Sequence, residues 1–586
     1  MKLSRHRGLL ILRTSRLLGL VQAVLLGIAV AYWWVQVANG DHYRQMSDNN
    51  RLRKLSLEAP RGLIVDRDGR HLVENVPSYS LLIDASLSRD IEASLAFAGG
   101  ILGRTNEEMT ELFRDIPRSR YQQVELASNL DLAQVSQFAV QQLEHPEFET
   151  VARQRRLYRY GHHTAHLLGY LGRVSQADLD TGLYRRDDMR GKEGIEVLFE
   201  NHLRGTRGEQ LVVVDNRGRR VEHRDPVSAR QGKELRTTLD IRLQQEAALL
   251  LEGQRGAIVA LDPRNGDILA LVSAPSFNPN AFVRGLSGKE WSALSQDPGK
   301  PLQNRALLHA PPGSVFKIVM ALAGLESGII DLETRTFCRG AIKIYNHRYR
   351  CWKSSGHGWE DLKGAFRDSC DVYFYLLGQK LGIDAIANAS RKLHLGELTR
   401  IGLSGEVPGL VPDSAWSVRA RGNPWYPGET ISVSIGQGPI LTTPLQVALM
   451  VASVARGQVV KPRLTLEEEV RLGPVLPYRE EHLVAVRDAM ESVVMDPGGT
   501  GRAARVEGMA VAGKTGTAQV VRQETWTSND ELPPEHRDHA WFASYAPADD
   551  PRLVVVVFVE HGGGGSTTAA PIARRIFERF LDLNPA

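Results

Sequence analysis

Pro312-Gly313-Ser314-Val315-Phe316-Lys317 opens an apolar stretch that a glycine, Gly328, closes. Pro-Gly before it and Gly after it predict a helix from Ser314 to Gly328. Ser314 and Lys317 then lie one turn apart, with the serine oxygen beside the positive end of the helix dipole. Ser-x-x-Lys by itself is a common surface pairing. Here two more pieces follow in order, Ser369-Cys370-Asp371 and Lys514-Thr515-Gly516-Thr517. A serine hydroxyl is a poor nucleophile until a base takes its proton. Lys317 is the candidate base, since burial and a second nearby cation can keep an amine free to accept one. Lys514 is that second cation. Ser369 can relay a proton between the lysines and a leaving amine. Thr515 and Thr517 offer hydroxyls to a substrate carboxylate beside Lys514.

Around these pieces the pattern is that of a sheet covered by helices. Gly256 to Leu261 and Ile268 to Val272 are apolar runs joined by a polar, Gly-containing turn, which predicts a hairpin. His539 to Tyr545 and Leu553 to Val559 read as buried strands, and Thr567 to Leu583 as a covering helix. Strands at both ends with helices between them predict a mixed α/β or α+β architecture. Upstream, Arg61 to Arg70 alternates and turns at Asp68-Gly69, a second hairpin. Residues from about 86 to 150 read as amphipathic helices and connectors without a chemical motif.

A chain of 586 residues divides into several domains, and its formal charge of +4 is too small to imply a nucleic-acid surface. Lys2, Arg5, Arg7, Arg13 and Arg16 precede the first acidic residue, Asp41, and Leu18 to Ala38 carries no charge. At helical rise this stretch covers roughly 30 Å, one bilayer core. Tyr32, Trp33 and Trp34 lie towards its outer end, as interfacial aromatics do. It is too long for a signal peptide and lacks a small-x-small cleavage site. The expectation is an uncleaved anchor at 17–38, a cytoplasmic tail at 1–16, and the bulk of the chain outside the inner membrane, in the periplasm.

The ordered triple resembles the active-site signature of penicillin-interacting serine acyl-transfer enzymes. Arg156 to Gly161, His166 to Tyr170 and Gly191 to Glu196 are similar to the pedestal of class B penicillin-binding proteins, so the resemblance spans nearly the whole chain. It implies an antiparallel sheet flanked by helices at 236–586 on a pedestal at 39–235. It also implies a D,D-transpeptidase that forms an acyl-enzyme on Ser314 from a D-Ala-D-Ala stem peptide and needs no cofactor for chemistry. Ser314, Lys317, Ser369 and Lys514 are the catalytic set, and Asp371, Thr515, Gly516 and Thr517 the substrate-binding set. The backbone amides of Ser314 and Thr517 are the oxyanion-hole candidates. Tyr349 to Lys353, Trp425 to Thr430 and Ile435 to Gly438 resemble the elongation-type branch, which works beside a SEDS-type polymerase in the rod-shape complex. Asp371 departs from the general Ser-x-Asn pattern, and an ionised carboxylate cannot donate as an amide does. Rival readings are a carboxypeptidase or β-lactamase that sends the acyl group to water, and a non-enzymatic penicillin sensor or scaffold. The pedestal and anchor argue against a free hydrolase, and a sensor needs a larger cytoplasmic output domain than sixteen residues.

Gly508 to Thr515 fits the phosphate-loop pattern letter for letter. Its interior is an apolar run and Gly516 to Val521 reads as strand, so no nucleotide is expected. Gly562 to Gly565 reads as a flexible loop. His162, His163 and His166 lack acidic or Cys neighbours that would complete a metal site. The three cysteines, Cys338, Cys351 and Cys370, fall within 33 residues, together with His357 and His347. Three thiolates and the His357 imidazole suit a closed structural zinc site, with His347 as an alternative ligand. The competing reading is a Cys338–Cys351 disulfide, which an oxidising compartment favours.

Overall fold

The computed structural model describes residues 2–44, 52–85, 87–114, 124–185, 188–214, 220–223, 226–521 and 529–585. The Lys2–Trp33 helix continues into a wider turn at Trp34–Ala38. From Arg13 to Ala38 it is long and apolar enough to cross a membrane, and none of that stretch packs against the rest of the protein.

The pedestal is built on a sheet in which Ile64–Val65 pairs antiparallel with His71–Ile83. This is the predicted Asp-Gly hairpin. Gly69 takes φ +85, and the Asp66 carboxylate accepts from the amides of Asp68 and Arg70 at 2.9 and 2.8 Å. Between residues 86 and 150 the expected helices are present, at Ile91–Leu102, Asn106–Arg114 and Leu132–Val140. A strand that was not expected, Val124–Leu130, pairs with His71–Ile83, because only half of its residues face the small core formed around Leu81, Phe113 and Phe148. The motif pieces of the pedestal converge. Arg61 and Arg156 close on the buried Glu196 carboxylate at 2.7 and 2.8 Å, with the Tyr158 hydroxyl donating to it at 3.2 Å. Tyr158 in turn exchanges two backbone hydrogen bonds of 2.9 Å with the Asn280 side chain, tying pedestal to catalytic region.

The catalytic region folds around a five-stranded sheet in the order Ile268–Ala274, Gly256–Leu261, Leu553–Val559, His539–Ala546, Ala512–Ala518. Every neighbouring pair is antiparallel. Continuous apolar runs are required because both faces are covered: Leu553–Val559 is buried at every residue. Helices Ile241–Leu250 and Ala570–Leu583 pack on each other and on the sheet, as do Pro444–Arg456 and Glu480–Met495. The C-terminal helix begins, after an irregular turn at Gly565–Ala569, later than the expected Thr567. The Ser314 helix is also modified: Gly313–Phe316 is a tight 3-10 turn and the α-helix proper is Lys317–Glu326, buried from Lys317 through Leu325. Lys514 lies inside the edge strand Ala512–Ala518 and no helix starts at it, which removes the phosphate-loop geometry.

Candidate active site

Three chain segments meet at Ser314, and glycines let them do so. Gly313 has φ +54, donates to Gly436 O at 3.0 Å, and a Cβ there would fall 2.6 Å from Thr517 O. Gly436 has φ +73, and its Cβ would fall 2.0 Å from Gly313 O. Neither contact leaves space for a side chain. Gln437 Nε2 donates to Thr517 O at 3.1 Å and closes the third side. A Cβ on Gly516 would sit 2.9 Å from Val315 Cγ2, so strand and serine turn are in contact. The amides of Ser314 and Thr517 therefore stand on facing segments. Ser314 and Thr517 are half-buried, at the mouth of the site.

Lys317 is completely buried, and its Nζ donates to Ser369 O at 2.9 Å, Ser369 Oγ at 3.2 Å and Asp371 Oδ1 at 2.7 Å. The amine is thereby held between Ser369 and Asp371. Ser369 occupies the left-handed region at φ +52, between the end of helix Leu362–Arg367 and the start of helix Asp371–Leu381. A non-glycine residue in that region costs free energy that the surrounding packing must supply. Lys514 is equally buried, donates to Thr515 O at 3.2 Å, and has Nζ 5.8 Å from the Phe366 ring centre. Burial holds its amine well below the usual lysine range, the charge of Lys317 adds to the shift, and Asp371 opposes it.

Two residues assigned to substrate binding are turned inward. Asp371 offers Oδ1 to Lys317 and Oδ2 to the Trp352 amide at 3.0 Å, and only 8% of the residue is exposed. Both carboxylate oxygens thus have partners inside the protein, the reason being that the chamber holds two amines and needs a counter-charge. Burial raises the Asp371 carboxyl above its usual range, while Lys317 opposes that shift. Thr515 donates its hydroxyl to Thr500 Oγ1 at 3.0 Å, and Thr500 Oγ1 donates to Arg367 O at 3.1 Å. Thr517 is the more accessible of the two threonines. Thr500 and Phe366 escaped the sequence reading. The Gly498-Gly499-Thr500-Gly501 run is the one signal that the chain passes close to another segment there.

Beside Ser369 the side-chain donors of Cys338, Cys351, His357 and Cys370 all lie within 4.8 Å of one another. Cys351 Sγ is 3.5 Å from His357 Nδ1, and His357 Nε2 is buried without a partner among the described residues. All three cysteines are free and buried, so no Cys338–Cys351 disulfide is formed. His347 stands exposed on the Ala341–Ile344/His347–Arg350 hairpin, away from this cluster. The Cys370 thiol, hydrogen-bonded to Cys351, draws the latter down to about 3, and the same contact with burial pushes Cys370 up. Three thiols and an imidazole at this spacing fit tetrahedral zinc, whose sulfur ligands sit about 2.3 Å from the ion. The cluster touches the catalytic chamber at Asp371, whose amide donates to Cys351 Sγ at 3.3 Å. The pedestal histidines do not cluster in this way. His166 is half-buried with Nε2 2.8 Å from Pro301 O, and desolvation holds it down at about 4.

Residues 256–578 match the penicillin binding protein transpeptidase domain and residues 56–237 the penicillin-binding protein dimerisation domain. The chain is 36% identical to the peptidoglycan D,D-transpeptidase MrdA of Acinetobacter baumannii, over 96% of this chain and 86% of that one. Its fold is similar to penicillin-binding protein PBP2 of Helicobacter pylori in complex with MreC, with a TM-score of 0.83 at 29% identity, covering 91% of this chain and 99% of that one. It is likewise similar to a chain from a peptidoglycan synthase complex that coordinates polymerisation and crosslinking, with a TM-score of 0.73 at 30% identity, covering 98% and 99%.

Proposed function

The chain belongs to the penicillin-binding protein transpeptidases and is a peptidoglycan D,D-transpeptidase, and from that premise we propose how its own residues divide the work. Ser314 is the nucleophile. Its Oγ bonds to the carbonyl carbon of the penultimate D-alanine, the terminal D-alanine leaves as a free amine, and an amine of a neighbouring stem peptide later displaces Ser314. Lys317 is the base, working through the hydrogen-bonded trio of Lys317 Nζ, Ser369 Oγ and Asp371. This trio is the observation that carries the proposal. Burial and the charge of Lys317 hold the Lys514 amine below the usual lysine range, and a substrate carboxylate, as a second negative charge, favours its protonated form. Recognition of that carboxylate is shared with the accessible Thr517 hydroxyl. Ser369 passes a proton to the leaving amine. Asp371 and Thr515 position other groups, and Gly516 keeps the strand close to the serine turn. The amides of Ser314 and Thr517 stabilise the tetrahedral oxyanion.

Acyl transfer of this kind needs no cofactor. Zinc held by Cys338, Cys351, His357 and Cys370 would supply a cross-link beneath the segment that carries Ser369 and Asp371, and no chemical step. The pedestal spans 39–235 and the transpeptidase region 236–586. The apolar helix supports anchoring at 17–38 in the inner membrane with residues 1–16 in the cytoplasm and the catalytic region in the periplasm. The relatives seen with MreC and in a synthase complex support assembly in a cell-wall complex; the partner we expect is a SEDS-type polymerase of the rod-shape machinery, met through the anchor and the pedestal near Arg61 to Tyr79.

The test is intact mass after exposure to a β-lactam. One adduct is expected, on the peptide containing Ser314, and none in Ser314→Ala. An adduct retained by that variant would remove Ser314 from the mechanism, and rapid loss of the wild-type adduct would favour a hydrolase.

A further inference from the structure

Strands Thr336–Cys338 and Gly358–Glu360 form a two-stranded ribbon whose two faces differ sharply. Its inner face presents Cys338 and Glu360, both buried. Its outer face alternates Arg335, Phe337 and Arg339, all exposed, with Trp359 directly across from Phe337. Trp359 is 69% exposed and Phe337 44%. Their rings meet edge to face at 5.3 Å, and the Arg339 guanidinium lies 5.6 Å from the Phe337 ring centre. Cross-strand aromatic packing would stabilise such a ribbon, but it does not account for an indole left so open between arginines.

The ribbon is continuous with the catalytic site. Cys338 and His357 bring its inner face to the cluster shared with Cys370, the residue between Ser369 and Asp371. Trp352, 54% exposed, has its ring 5.4 Å from the His357 ring and its amide on Asp371. We propose that this outer face binds a peptidoglycan strand, with Trp359 and Phe337 against the C–H faces of the sugars and Arg335 and Arg339 on stem-peptide carboxylates. The inference rests on the transpeptidase reading and adds to it a docking surface outside the groove. The chemistry matches on both counts: aromatic faces suit the apolar faces of pyranose rings, and guanidinium groups pair bidentately with carboxylates. A strand seated here would keep its stem peptides near the mouth at Ser314 after each bond is made.

The experiment uses the full chain in detergent, acylated by a β-lactam so that the groove is closed. Its probe is uncross-linked glycan strands with stem peptides intact. Trp359→Ala and the double variant Arg335→Glu/Arg339→Glu should each weaken binding about tenfold, while Trp359→Phe retains it. Strands stripped of stem peptides should lose the arginine dependence and keep the Trp359 dependence. The rate of β-lactam acylation should be unchanged in all three variants, which also shows that they fold. Equal strand binding by wild type and variants would overturn the proposal, as would the same residue dependence seen with phosphatidylglycerol vesicles and not with strands. Failure of the wild type to be acylated would overturn the transpeptidase reading first, and this surface with it.

Discussion

Asp371 differs from an asparagine by one charge, and in the resting chamber that charge faces two buried amines. Lys514 feels it directly: Asp371 is the contribution that opposes the depression caused by burial and by Lys317. Asp371→Asn should therefore drop the Lys514 amine further, moving to lower pH the alkaline limb of the pH–acylation profile, above which Lys514 no longer carries the proton that meets the substrate carboxylate. It should also slow acylation about 10- to 100-fold, because Lys317 loses the partner that orients it. A profile measured with a chromogenic β-lactam decides this, and an alkaline limb that stays in place would show that Lys514 does not sense the carboxylate. At this scale the sequence singled out Ser314, Lys317, Ser369 and Lys514 through a resemblance in ordered motifs, and the structure brings Lys317 and Ser369 into hydrogen-bond contact. It was least legible for Asp371 and Thr515. Their residue types fit substrate contact, but whether a side chain points to solvent or inward depends on neighbours such as Trp352 and Thr500 that lie far away along the chain.

Two elements decide whether those residues meet. The first is the Ile435-Gly436-Gln437-Gly438 turn, where Gly436 O accepts from the Gly313 amide at 3.0 Å and no room is left for a side chain. Gly436→Ala puts a methyl 2.0 Å from that oxygen in a left-handed backbone. The expected result is a loss of about 1–3 kcal/mol in stability and an acylation rate lower by about 100-fold, because the serine turn must shift. Thermal unfolding and acylation kinetics of the same sample separate the two effects, and a variant acylated at the wild-type rate would contradict the close approach. The second element is the cysteine cluster. Protein purified without chelator should carry one zinc and release three thiols on denaturation. Removing the metal should lower the midpoint of unfolding and slow acylation, since the segment from Cys351 to Asp371 loses its cross-link. Zinc-free protein with a Cys338–Cys351 linked peptide would dispose of the site. The hairpins and core strands were readable from alternation and apolar runs. The Val124–Leu130 strand was not, because a strand half-covered by a small core carries a weak pattern.

For the whole molecule, an apolar helix long enough to cross a membrane, a pedestal and a sheet domain are joined in one chain. If that arrangement serves elongation, depletion of the protein should turn rod-shaped cells round, whereas filaments with blocked septa would assign it to division instead. Light microscopy of a depletion strain distinguishes the two. Residue chemistry and periodicity along the chain were sufficient for the long apolar N-terminal helix and the covered sheet, because each rests on local spacing and apolar runs. Tertiary structure alone decided which cysteine-region histidine joins the thiols, that Asp371 serves Lys317, and that the pedestal motifs meet at Glu196. Those are contacts between segments tens to hundreds of residues apart, and their partners are selected by burial: a charge or thiol removed from water must find its partner in space, wherever that partner lies in sequence.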